Sequence, residues 1–263
     1  MISCKEYYNI RLEEIKNTIA NADCEPPTLT IVQVGNNEAS NRYVRNKIKD
    51  CEKVGVKAKL VKYDDNVNLL SELLLMYNST DGLILQLPLP DSMNECIMKA
   101  CIPPQMDVDG FNSSVTPCTP RGIMDWLHYN DISLDGKNVT IVGRSELVGK
   151  PLAELMLKEN ATVTLCHSHT LNLSEHFGNA DIIVSAVGKR GIIKDEDLSY
   201  RECPPVIIDV GINFNSNCKL CGDCEPNLKS ISYQTPVPGG VGLLTRIAML
   251  DNLIDLWNQH HSL

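Results

Sequence analysis

Apolar positions along the first half of the chain alternate between a helical period and short uninterrupted runs. Residues 4–22 space their apolar side chains as an amphipathic helix does, whereas TLTIVQVG (28–35) is a β-branched run that reads as a buried strand. A second helix is expected from Ser40 to Val54, ending at Gly55, a residue suited to the left-handed backbone that closes a helix. Then come the strand VKAKLVKY (56–63), a helix over about residues 67–78, the apolar run DGLILQLPLP (81–90) and a helix over about 91–101. Strands alternating with helices imply an open parallel sheet covered by helices.

The second half repeats the theme with different spacing. A helix is expected from Pro120 to Tyr129, followed by NVTIVG (138–143), the helical PLAELMLKEN (151–160), ATVTLCH (161–167), ADIIVSAVG (180–188) and PVIIDVGIN (205–213). Four short β-branched strands with a helix after the first are the pattern of a dinucleotide-binding unit. The reading is therefore an α/β chain of two domains with a cleft between them: an N-terminal open α/β catalytic domain and a C-terminal Rossmann-like domain. The boundary is placed near the Pro-rich TPCTPRG (116–122), and a last helix over about 243–259 is expected to return to the first domain. In residue terms, 1–119 with 242–263 form one domain and 120–241 the other.

Composition narrows the partners. The 33 acidic against 24 basic side chains give a formal charge of −9, which repels phosphate backbones, and no basic patch offsets it, so nucleic acid is not expected as a partner. No apolar stretch approaches the roughly 18–20 residues of a membrane span, and the charged N-terminus lacks the apolar core of a signal peptide. A cytoplasmic protein without membrane contact is expected. The 11 cysteines are an odd number, and most lie within apolar strand or helix patterns, so they read as reduced core thiols.

Candidate chemistry begins after NVTIVG. Gly143 permits a tight strand-to-helix turn, Gly149 permits close helix packing, and the free N–H groups of the helix start can hold a pyrophosphate. The form Gly-x-Ser-x-x-x-Gly places Ser145 where a second glycine is usual, and by itself it also fits a plain tight turn. An NAD site puts an acid at the end of the second strand. That strand here ends Cys166, His167, Ser168, His169. With no carboxylate there, and with Arg144 and Ser168 able to hold a 2′-phosphate, NADP is the expected cofactor.

On the second helix Tyr43 and Lys47 are four residues apart and share a face, while Lys49 lies elsewhere. A ring that stacks on a flat heterocycle beside an amine that moves protons suits acid–base chemistry; the plain alternative is a surface pair. Gln86 ends an apolar strand at the edge where open α/β sheets bind ligands, and Pro88 and Pro90 stiffen the exit. Asp107 and Asp109 precede Gly110, which an ordinary Asp-Gly turn would also explain.

Taken together, YVRNK, DGLILQLPLP, DVDGF, PCTPRGI, IVGRSELVGKP, CHSHT, SAVGKRGII, IDVGIN and TPVPGGVG closely resemble the methylenetetrahydrofolate dehydrogenase/cyclohydrolase (FolD) family over nearly the whole chain. The resemblance implies a bifunctional enzyme of one-carbon metabolism. It would oxidise 5,10-methylenetetrahydrofolate with NADP and hydrolyse the methenyl product to 10-formyltetrahydrofolate. It implies Lys47 as the acid/base of the hydrolytic step, Tyr43 stacked on the folate, and Gln86 hydrogen-bonded to Lys47 to hold its orientation and charge state. Asp109 would bind the amino and N–H edge of the pterin. Gly143, Arg144, Ser145, Gly149, Ser168 and Ile212 would form the NADP site, and the loop with Pro236, Pro238, Gly239 and Gly240 would close near folate and nicotinamide. A homodimer is also implied.

The sequence departs from the family's usual pattern at Met106, where a lysine is common, at Leu243 and Leu244, at His169, and in the short segment 112–117; a more open active-site mouth is the expected result. Cys218-x-x-Cys221-x-x-Cys224 invites a metal reading, but no fourth ligand is suitably spaced, and the resemblance makes this segment an ordinary hairpin, so no metal is expected. Short-chain dehydrogenases also carry Tyr-x-x-x-Lys, but after their nucleotide glycines rather than before them. A folate binder without catalysis would not need Lys47, Gln86 and Asp109 together.

Overall fold

A computed structural model describes residues 1–76, 79–112, 115–198 and 203–261. The first half comprises α1 (Cys4–Ala20), β1 (Thr28–Val34), α2 (Glu38–Val54), β2 (Lys57–Tyr63), α3 (Leu69–Leu75), β3 (Gly82–Gln86) and α4 (Glu95–Ala100). The second comprises α5 (Cys118–Tyr129), β4 (Asn138–Val142), α6 (Gly149–Lys158), β5 (Thr162–Cys166), β6 (Ile182–Ser185), β7 (Val206–Asp209), β8 (Asn213–Phe214), β9 (Leu220–Cys221), β10 (Tyr233–Gln234) and α7 (Val241–His261). Two compact units result, one of Asn9–Cys118 with Arg246–Leu263, the other of Met1–Tyr8 with Thr119–Thr245. Among the described residues, no helix is long and apolar enough to cross a membrane.

In the unit containing residues 9–118, three parallel strands lie in the order β2-β1-β3. Every residue of β1 after Thr28 is buried, as expected of a central parallel strand covered on both faces. The edge strand β2 instead alternates and carries Lys57, Lys59 and Lys62, a composition that discourages pairing with another chain. Helix α2 starts at Glu38, earlier than Ser40, because the Asn37 side chain accepts the Ser40 N–H at 3.0 Å and so caps the helix. Its end at Gly55 has φ 90° and is as expected. Helix α4 is shorter than 91–101 for the same kind of reason: Asn94 accepts the Ile97 N–H at 3.2 Å, which leaves 91–94 as a turn. Helix α3 begins behind Asn68, and residues 77 and 78 of the expected helix lie outside the described ones.

Helix α7 is anchored in this unit by buried polar contacts as well as apolar ones. Arg246 pairs through Nε with Asp50 of α2 at 2.6 Å, and the Asp50 side chain is fully buried. Asn252 donates to the Val108 carbonyl at 2.8 Å and to the Thr116 carbonyl at 3.0 Å, tying the chain after β3 to the helix.

In the other unit five parallel strands lie in the order β10-β7-β6-β4-β5. From β4 the chain passes through α6 to β5 on one side and then returns to β6 on the other. That reversal makes the carboxyl ends of β4 and β6 the switch point at which open sheets of this kind take ligands. The core beneath includes Val142, Phe177, Ile183 and Ile207. The N-terminal residues join this unit: Ile2 N–H donates to Asn130 Oδ1 at 2.6 Å and its carbonyl accepts from Trp126 Nε1 at 3.2 Å.

Candidate active site

The parallel register of β1 and β3 places Gln33 directly across from Gln86 at the carboxyl edge of the smaller sheet. Ser40, near the start of α2, donates to the Leu87 carbonyl at 3.2 Å and so draws α2 against the exit of β3. Further along α2, Lys47 Nζ stands 3.9 Å from Asp109 Oδ1, with both side chains largely covered, at 17% and 18% exposure. Tyr43, one turn earlier, leaves 40% of its surface free, and partial burial raises its phenol pKa. An aromatic ring and an amine thus lie one turn apart on α2, and the amine faces a carboxylate.

Asp109 owes its placement to its neighbour Asp107, which the sequence leaves open between a turn and a functional role. Asp107 is fully buried and bridges to Leu83 of β3. Its carboxyl group accepts the Gly110 N–H at 3.1 Å and the Asn112 N–H at 2.7 Å. Burial, helped by the Asp109 charge, pushes its pKa up to about 6 against those backbone hydrogen bonds. Between the two acids, the Val108 carbonyl accepts from Asn252 and from the Cys118 thiol at 3.3 Å. One acid is therefore spent on the turn, and the other is left to face Lys47.

Gln86 departs from expectation. It is not bonded to Lys47: its Nε2 donates to the Leu87 carbonyl at 2.7 Å, and its buried Oε1 has no protein partner. Exchanging the amide ends would set one oxygen against another, so the geometry fixes the assignment. Lys47 turns instead to Asp109, because an opposite charge attracts an ammonium more strongly than a neutral amide does.

In the unit with the five-stranded sheet, Gly143 leaves β4 at φ 118°, and a Cβ there would run into the Ala186 carbonyl. A Cβ at Gly149 would strike the Gly143 carbonyl, so both glycines are required for α6 to start so close to the strand. Ser145 Oγ accepts the Gly149 N–H at 3.4 Å, and Arg144 is exposed beside the turn. At the end of β5, Ser168 is exposed and His169 N–H donates to His167 Nδ1 at 3.2 Å. Burial lowers the His167 pKa, and the nearby Arg144 guanidinium and the His169 ring add to it, so Arg144 acts electrostatically on this edge of β5. Ile212, after β7, is 49% exposed. In the loop that precedes α7, Pro236, Pro238 and Gly239 are exposed and Gly240 is buried.

Two family models divide the chain along these lines. Residues 2–109 match the tetrahydrofolate dehydrogenase/cyclohydrolase catalytic domain, and residues 117–261 match the NAD(P)-binding domain of the same family. The chain belongs to the tetrahydrofolate dehydrogenase/cyclohydrolase family. A bifunctional FolD protein of Agathobacter rectalis is 43% identical over 86% of this chain and 87% of its own. The crystal structure of the bifunctional FolD dehydrogenase/cyclohydrolase of Campylobacter jejuni superposes with a TM-score of 0.92 at 32% identity, covering 98% of both chains. The Trypanosoma brucei FolD, solved with NADP cofactor and an inhibitor, gives a TM-score of 0.91 at 26% identity over 100% of this chain and 98% of that one.

In this member of the family Met106 is buried in the apolar cluster of the catalytic unit, at 1% exposure, beside Leu83 and Ile102. Its side chain fills the core where a lysine would need an exit to water. Leu244 is fully buried, with its backbone closely packed against Gly122. In the short segment 112–117, Ser113 and Ser114 lie outside the described residues. The three clustered cysteines do not converge: Cys218 is exposed, whereas Cys224 is buried and its N–H donates to Asp209 at 2.9 Å. Among the described residues, no group of three or more His, Cys, Asp or Glu side chains could hold a metal ion. β8 and β9, with Cys218 in the turn that joins them and Cys221 in β9, form the hairpin expected from the resemblance.

Proposed function

We propose that this protein is a bifunctional enzyme that oxidises 5,10-methylenetetrahydrofolate with NADP and hydrolyses the resulting 5,10-methenyltetrahydrofolate to 10-formyltetrahydrofolate. Residues 1–119 with 242–263 would bind folate, and 120–241 would bind NADP. The observation that carries the reading is the Lys47 ammonium set 3.9 Å from the Asp109 carboxylate on the Tyr43 side of α2.

NADP, when bound, supplies the hydride acceptor. The chain's own contribution to that step is alignment, which converts an encounter into a positioned reaction. Arg144 and Ser168 would hold the 2′-phosphate, with the guanidinium supplying charge-assisted bonds. Gly143, Ser145 and Gly149 would shape the pyrophosphate turn, while Ile212 and the loop with Pro236, Pro238, Gly239 and Gly240 would border the reacting end.

On the folate side, a carboxylate accepts from an amino group and a ring N–H together, so Asp109 would orient the pterin. Tyr43 would stack on the flat ring. Water adds to the methenyl carbon and loses both its protons as the formyl C=O forms and the ring opens; one passes to the departing nitrogen and the other leaves to solvent with the cation's charge. Lys47 would carry the proton that passes to nitrogen, since its amine faces the carboxylate that would orient the pterin. Gln86 offers a buried amide oxygen without a hydrogen-bond partner, which Lys47 would reach when substrate engages Asp109.

The site's family also supports placing the protein in the cytoplasm as a homodimer. A spectrophotometric assay that follows NADPH formation and methenyl absorbance together tests the catalytic reading. NADPH should accumulate with a transient or steady methenyl signal, and methenyltetrahydrofolate supplied alone should decay faster with enzyme than without. Absence of both signals would end this reading.

A further inference from the structure

Beneath the carboxyl ends of β6 and β7 lies a carboxylate that the reaction as described does not use. Asp223 is fully buried, on the strand exit that follows β9. Its Oδ2 accepts three hydrogen bonds: from Ser185 Oγ at 3.0 Å, from the Val187 N–H at 2.9 Å and from the Gly188 N–H at 3.2 Å. Its Oδ1 accepts from Asn213 Nδ2 at 2.9 Å. The Asp223 N–H in turn donates at 2.9 Å to Asp209, the last residue of β7. No space is left around the group: a side chain at Gly211 would collide with the Asp223 carboxyl group.

What this one carboxylate fixes is specific. Val187 follows β6 and Asn213 follows Ile212 beyond β7, so its bonds fix the Val187 backbone directly and hold the Asn213 side chain next to Ile212, at the two places where apolar side chains emerge. Val187 is 39% exposed and Ile212 is 49% exposed, although both stand at the end of otherwise buried strands. The neighbouring Ala186 carbonyl closes over Gly143, so the same segment borders the pyrophosphate turn. A dinucleotide that crosses the switch point with its phosphate-bearing ribose at Arg144 and Ser168, beside β5, must carry its other half toward β6 and β7.

We propose that Asp223 is a positioning residue for hydride transfer, holding the segments after β6 and β7 in the shape that seats the nicotinamide half of NADP between Val187 and Ile212. This rests on the dehydrogenase/cyclohydrolase reading above and adds a residue to it. The carboxylate makes no contact with substrate; it acts through the Val187 and Gly188 amides and through Asn213. Burial also raises the pKa of its partner Asp209, as expected when two acids share a closed space.

The two activities of the enzyme provide the test, because only one of them uses the nucleotide. In Asp223→Ala the dehydrogenase kcat/KM for NADP should fall at least tenfold further than the cyclohydrolase kcat/KM measured with methenyltetrahydrofolate. Asp223→Asn keeps an acceptor for the Val187 and Gly188 amides and should recover most of that difference. Loss of both activities in proportion, or no separation between them, overturns the positioning role. Should the alanine variant prove insoluble, Asn213→Ala, which removes the bond to Asp223 Oδ1, decides in its place: dehydrogenase reduced severalfold more than cyclohydrolase supports the role, and equal values for both overturn it. Failure of the wild-type protein to form NADPH or to consume methenyltetrahydrofolate would instead refute the functional reading, which the variants do not address.

Discussion

Gln33 on β1 and Gln86 on β3 face each other across the parallel register, and each holds a buried amide oxygen that no protein group satisfies. In-register neighbours project to the same side of a sheet, and Gln33 donates at 2.9 Å to Asn41 of α2, so both amides lie on the side that α2 covers. An unmatched buried acceptor costs about 1–3 kcal/mol. The two positions need not be retained for the same reason. Lys62 also donates to Asn41, at 3.0 Å, so a Gln33→Leu variant leaves Asn41 partnered and removes an unsatisfied oxygen. It should melt at the wild-type temperature or above. Gln86→Leu should melt similarly but lose cyclohydrolase activity by about tenfold or more, the cost of one charge-assisted bond. Thermal melts with rates on both variants would check this, and a Gln86→Leu enzyme of full activity would exclude Gln86 from the mechanism.

Lys47→Met keeps the length of the side chain and removes its proton-carrying end. General acid–base groups contribute about 10²–10⁴ in rate, and cyclohydrolase turnover should fall by that order. NADP binding should remain within about twofold, because Lys47 and the nucleotide turn belong to different units. Titration of NADP beside a methenyl decay assay separates the two; unaltered decay in the variant would remove Lys47 from its proposed role.

Arg144→Ala should discriminate between nucleotides. A hydrogen bond to a charged group contributes about 1.5–3 kcal/mol, so kcat/KM for NADP should fall by about 10- to 100-fold. The rate with NAD, which has no 2′-phosphate, should change little. Parallel losses with both nucleotides would show that Arg144 supports the turn rather than the phosphate.

How much of this was legible in the sequence follows from what each feature depends on. The buried parallel strands β1, β4 and β6 announce themselves because both faces are covered and most of their positions are apolar and β-branched. Strand β10, only Tyr233 and Gln234, has too few positions to show a period and emerges only through its pairing with β7. Helix starts moved where asparagine side chains capped them, at Asn37 and Asn94, and a periodicity argument does not see a cap. Lys47 and Asp109 could be placed together from topology, since β1 and β3 are neighbours and each is followed by one of these residues. Asp107 and Asp223 could not, because a buried acid that serves backbone N–H groups looks, in sequence, like any acid beside a glycine.

Asp107 supplies a prediction about pH. Its pKa in the fold is raised from 3.8 to about 6, so the folded protein holds a proton that the unfolded chain releases first. Between those values the native state binds more protons, and the contribution of Asp107 to stability is therefore greatest below pH 4 and declines as pH rises through 6. Above that, the buried carboxylate opposes folding by an amount on the order of 3 kcal/mol relative to its protonated form. In Asp107→Asn the titration is absent, while one oxygen remains to accept from Gly110 or Asn112. All other titrating groups are common to both proteins, so the wild-type melting temperature minus that of the variant should be larger at pH 4 than at pH 7. Melts of both proteins across this range measure that difference directly. A difference that stays flat or widens toward pH 7 would mean that the hydrogen bonds from Gly110 and Asn112 outweigh burial and keep Asp107 ionised throughout.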